Sequence, residues 1–87
     1  MKIDITIYDL DPERLSIIDK NIKSALKKLN LKGEITLISE PPLISRMNIY
    51  HRIPVIEINN QYWSKKIYET ISENDCIELL KIITSKV

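Results

Sequence analysis

The sequence predicts an α/β fold, a four-stranded mixed sheet with helices on both faces in the order βαβαββα. Three observations carry this. Two runs of alternating apolar and polar residues flank a long amphipathic stretch, which calls for a parallel βαβ unit. Two short apolar runs bracket Asn59 and Asn60, which calls for an antiparallel hairpin. A capped amphipathic helix then closes the order.

In the first strand Ile3, Ile5 and Ile7 alternate with Lys2, Asp4, Thr6 and Tyr8, the period of a strand with one buried face. Asp9, Leu10, Asp11 and Pro12 read as a loop entering a helix, with Asp11 as N-cap, Pro12 at the first helical position and Glu13 complementing the dipole. Leu15, Ile18, Ile22, Ala25, Leu26 and Leu29 recur at three and four residues and form the helix's buried stripe. Asn30, Leu31, Lys32 and Gly33 end it, with Gly33 expected to take the positive φ.

Glu34 to Ser39 give the second strand, with Ile35 and Leu37 on one face and Thr36 and Ile38 on the other. After Glu40, Pro41 and Pro42 comes a short helix whose stripe is Leu43, Ile44, Met47 and Tyr50, ending before Pro54. Pro54 suits the first residue of a strand, since proline cannot donate to a ladder. Base rates alone favour a trans bond there, while the residues leave the cis form open. Pro54 to Ile58 and Gln61 to about Lys65 form the hairpin around Asn59 and Asn60.

Ser72 and Asp75 begin the last helix, with Ile71 and Cys76 as the ends of a hydrophobic staple, and Cys76, Leu79, Leu80, Ile83 and Val87 make its stripe. The first and last helices are expected to share one face of the sheet and the short helix the other.

Composition bounds the function. A chain of 87 residues is one domain, residues 1–87, burying about 60% of its unfolded surface. Thirteen Lys and Arg against twelve Asp and Glu leave a net charge of +1, too balanced for a dedicated nucleic-acid or membrane-surface protein. Cys76 is the single cysteine, so no disulfide forms within the chain, and His51 has no Cys or His companion at ligand spacing. No metal, cofactor or catalytic constellation is read from the sequence. With no membrane-length apolar run, and with Met1 to Asp4 opening on strand-like alternation instead of a signal peptide, the expected location is the cytoplasm.

The element order, the loop after Tyr8, Ile53 and Pro54 ahead of the Val55 to Ile58 strand, the Asn59–Asn60 hairpin and Ser72 capping the last helix together resemble the minimal thioredoxin-like fold of glutaredoxins and small thioredoxin-like proteins. That family opens its first helix with Cys-x-x-Cys; here the segment reads Asp9, Leu10, Asp11, Pro12, Glu13, Arg14, Leu15, with neither cysteine and an acidic excess that opposes a thiolate. Where glutaredoxins carry a Gly-rich segment, this chain has Ile67, Tyr68, Glu69 and Thr70.

The resemblance implies a redox-inactive domain that binds a protein or peptide by strand addition against the backbone of Ile53, the residue before the proline. The implied surface is Asp9, Asp11, Pro12, Glu13, Arg52, Ile53 and Pro54, and its acidic rim suits a partner presenting Lys or Arg. Tyr62 and Trp63, on the edge strand, are candidates for a partner contact or for contact with a second copy of the chain; the alternative is that one packs inward and the other covers the edge.

Other classes also have candidate residues. Lys20, Lys23, Lys27 and Lys28 with Arg46, His51, Arg52, Lys65 and Lys66 are those for nucleic-acid binding. Cys76 is the one for monothiol chemistry, and Asp9, Asp11, Glu13 and His51 are those for acid–base chemistry. The lysines are otherwise a solvated helix face, Cys76 a core residue, and the carboxylates a cap and dipole partners.

Overall fold

Residues 2–46 and 48–85 are described in the computed structural model. Strand β1 (Ile3–Tyr8) leads into helix α1 (Pro12–Lys28), then strand β2 (Gly33–Ile38), helix α2 (Pro41–Arg46), a 3-10 turn (Tyr50–Arg52), strands β3 (Val55–Ile58) and β4 (Gln61–Trp63), and helix α3 (Glu73–Thr84). The sheet order is β2-β1-β3-β4, with β1 parallel to β2 and antiparallel to β3, and β3 antiparallel to β4.

The alternation in β1 and β3 sorts the core into two layers. Ile7 stands opposite Ile56 and Ile5 opposite Ile58, so one sheet face is solidly aliphatic. It meets Leu15, Ile18, Ile22, Ala25 and Leu26 of α1 and Cys76 and Leu80 of α3. The opposite face carries Tyr8, Ile53 and Val55, which meet Ile44 of α2 and Ile49. Helices α1 and α3 thus share a face, with α2 on the other.

Helix α1 starts where expected: the Asp11 carboxylate accepts from the Glu13 and Arg14 N–H groups, with Pro12 in the first turn. At its other end Asn30 N–H donates to Lys27 and Leu31 N–H to Leu26, a Schellman arrangement. Its left-handed residue is Asn30 (φ 57), not Gly33. Gly33 instead opens β2, where a Cβ would stand 2.8 Å from Leu26 Cδ1. The glycine permits close approach of helix to strand.

Helix α2 also departs from the expected stripe. It ends at Arg46, Asn48 takes φ 58, and the 3-10 turn restarts the chain in a new phase. Ile49 is therefore buried and Tyr50 turned out to solvent, the reverse of an uninterrupted helix. Met47 and Val87, placed on the two stripes, lie outside the described residues. Asn59 (φ 54) and Asn60 (φ 64) make the hairpin turn with both central residues left-handed, and β4 stops at Trp63, short of Lys65.

Helix α3 begins with a full capping box between Ser72 and Asp75. Lys65 Nζ lies 2.6 Å from Asp75, which holds that carboxyl below its usual range. The start of α3 is also tied to α1: Glu73 accepts from Ser24 and, at 2.7 Å, from Lys28, and Asn21 donates to the Ile71 carbonyl. No described helix is long and apolar enough to cross a membrane.

Candidate functional site

Tyr8 and Val55 are register partners, so one step further along lie Asp9, just past the end of β1, and Pro54, just before the start of β3. The pairing brings the turn into α1 beside the entrance to β3, and Asp9, Asp11, Pro12, Glu13, Ile53 and Pro54 gather at one end of the sheet. The Ile53–Pro54 bond is cis, where base rates alone favour trans.

Asp9 is the one buried charged side chain among the described residues, 0% exposed. A carboxylate so placed demands a cation and donors. Arg14 supplies them from the first turn of α1, with Nε 2.5 Å from Oδ2 and Nη2 2.6 Å from Oδ1, the two-pronged geometry that guanidinium and carboxylate share. The Asp11 N–H adds a third bond to Oδ1 at 3.2 Å. These bonds to Asp9 hold the Arg14 guanidinium charged, its pKa raised above the ordinary arginine value.

Arg14 also reaches away from Asp9. Its Nη1 donates to the Tyr68 carbonyl at 3.1 Å, and its guanidinium carbon lies 5.8 Å from the Tyr68 ring centroid. The Tyr68 N–H in turn donates to the Ile53 carbonyl at 3.0 Å. Tyr68 therefore spans from Ile53 to Arg14 through its own backbone, in a left-handed conformation (φ 61) that is costly for a bulky residue. Neither Arg14 nor Tyr68 was singled out by sequence reasoning. A buried Asp9 implies a cation nearby, so Arg14 had a signal, but nothing marks Tyr68.

The candidate residues divide accordingly. Asp11, Pro12 and Glu13 are exposed and form a rim; Ile53 is buried, 1% exposed, with its carbonyl engaged by Tyr68. Arg52 turns toward the hairpin, its guanidinium 3.2 Å from Ser64 Oγ and 3.4 Å from the Tyr62 carbonyl. Ile67 and Tyr68 stand out beside the rim, 55% and 61% exposed. Tyr62 packs on the α2 side, its ring centroid 6.4 Å from that of Tyr8, while Trp63 packs on the α1–α3 side. Trp63 Nε1 is buried without a hydrogen-bond partner among the described residues.

The residues of the other classes are dispersed. Lys23 pairs with Asp19 at 3.0 Å, Lys28 with Glu73 at 2.7 Å and Lys65 with Asp75 at 2.6 Å. Cys76 is fully buried in the larger core, and burial, aided by Asp75 and Glu73, pushes its thiol up to about 12. A thiol so placed offers little thiolate near neutrality.

Against family models and against curated proteins, the chain finds no match.

Proposed function

We propose that the chain is a redox-inactive thioredoxin-like domain that acts as a protein-binding module, and that its partner docks on the rim where α1 begins. The observation that carries this reading is the pair Ile67 and Tyr68, two large apolar side chains more than half exposed on a segment pinned to Ile53 and Arg14. A pinned aromatic loses little freedom on binding, which is what an interface anchor needs.

In the family that the chain resembles, an extended peptide lies against the residue before the proline. Here the chain's own Tyr68 already bonds the Ile53 carbonyl. The partner therefore meets the outer side of the segment carrying Ile67 and Tyr68, while Asp11 and Glu13 select for Lys or Arg beside an apolar contact. The cysteine-free helix start and the buried Cys76 are in keeping with binding in place of thiol chemistry.

A photo-crosslinking residue at position 68, activated in lysate of the source organism, tests this. The expected result is one discrete adduct that disappears when Glu13→Lys reverses the rim and persists in Glu13→Gln. Adducts unaffected by Glu13→Lys, or disulfide reduction that Cys76→Ser abolishes, would overturn the reading.

A further inference from the structure

The two edges of the sheet are finished differently. Strand β4 has three residues and runs into Ser64, Lys65 and Lys66, a short and charged ending that discourages pairing. Strand β2 has six residues, pairs with β1 without a bulge, and carries no proline and a single charge, Glu34. Such an edge is a template for another strand.

The ladder fixes which groups it offers. Ile3 N–H donates to Lys32 at 2.9 Å and Asp9 N–H to Ile38 at 3.1 Å, so the main-chain groups of Lys32, Glu34, Thr36 and Ile38 face β1. Those of Gly33, Ile35, Leu37 and Ser39 consequently point outward. Leu37 is 44% exposed, an aliphatic side chain on this open edge.

We propose that β2 pairs antiparallel with β2 of a second copy of this chain, about a two-fold axis at Thr36, joining the two sheets into one. The register follows from charge. An axis at Glu34 sets the two Glu34 carboxylates face to face, and an axis at Leu37 opposes Glu34 to Glu40; like charges directly opposite repel. An axis at Ile35 opposes Lys32 to Ile38 and gains no ion pair. With the axis at Thr36, Ile35 stands opposite Leu37 and the two Thr36 hydroxyls meet at the centre, while Lys32 and Glu40, just outside the two ends of β2, come side by side at both ends. The same register puts the outward-facing residues Ile35 and Leu37, and Gly33 and Ser39, in the hydrogen-bonded positions. A two-fold contact needs this self-complementarity.

Light scattering of the purified chain across a concentration series tests it, alongside amide exchange. A dimer is expected, with the Ile35 and Leu37 amides exchanging more slowly as concentration rises. Leu37→Pro removes one outward N–H from each chain without touching the β1 ladder and is expected to give a folded monomer. Lys32→Glu is expected to raise the dissociation constant by about tenfold, and the swap Lys32→Glu with Glu40→Lys to restore it. A monomer at every soluble concentration, a dimer surviving Leu37→Pro, or a swap no tighter than Lys32→Glu alone would each overturn the proposal.

Discussion

The two faces of the sheet are held by different means. Under α1 and α3 the contact is mainly aliphatic, with Ile5, Ile7, Ile56 and Ile58 packed on two helices. Under α2 the core is small, and Tyr8 there needs a specific partner, donating to Glu57 at 2.6 Å; at the end of the sheet, where α1 begins, Asp9 is closed by Arg14. Burial is additive and forgiving, whereas a buried polar network fails when one member is lost. The domain places its bulk stability on the first face and its candidate site at the end of the sheet, where the start of α1 meets Ile53 of the smaller cluster.

The sharpest test of that division is a matched pair of truncations. Ile22 and Ile44 are both fully buried, but Ile22 of α1 belongs to the larger cluster shared with α3 and the sheet, while Ile44 sits on a six-residue helix over the smaller one. Ile22→Ala is expected to cost about 4 kcal/mol and Ile44→Ala about 2 kcal/mol, read from urea unfolding midpoints. Equal costs would erase the distinction between the faces. Next in size comes Arg14→Ala, expected to cost about 2 to 3 kcal/mol because it strands the Asp9 carboxylate, with the partly exposed Arg14 side chain letting in some water. Asp9→Asn should cost less than Arg14→Ala, since it leaves no buried charge behind.

The last test is of alkaline stability, with one titrating group on each face. Burial raises the Cys76 thiol from 9.0 to about 12, and burial together with the Glu57 hydrogen bond raises the Tyr8 phenol above its ordinary 10.0. Both groups lose protons more readily in the unfolded chain, so stability is full below pH 9 and falls as pH rises through the range toward 12. Cys76→Ala should flatten the fall that begins near pH 9, and Tyr8→Phe the part that begins near pH 10. Identical pH profiles for wild type and both variants would mean that neither group is as enclosed as its surroundings imply.

Legibility in the sequence follows the same divide. The aliphatic face was readable because periodicity reports burial directly: every residue assigned to the α1 stripe packs in or against the larger core. Caps were readable because Asp11 and Ser72 act on neighbouring N–H groups. The phase change that buries Ile49 and exposes Tyr50 was not, because it depends on how α2 ends against the sheet. At the candidate site, local chemistry gave Asp11, Pro12 and Glu13 only their cap and dipole roles, and their place on a binding surface came from the resemblance; the link from Ile53 through Tyr68 to Arg14 joins positions far apart in the chain through backbone groups, which leave no mark on residue type.

One consequence concerns sequence drift. The chain has a single glycine, and at Gly33 the constraint is the Leu26 side chain of the neighbouring helix, while the left-handed positions other than Tyr68 fall to Asn30, Asn48, Asn59 and Asn60. Those asparagines occupy conformations that glycine adopts freely, so related sequences have licence to exchange them for glycine. Position 33 has less licence: an alanine Cβ there would stand 2.8 Å from Leu26 Cδ1, so the side chain of the leucine seven residues before it has to shift to admit even one methyl group.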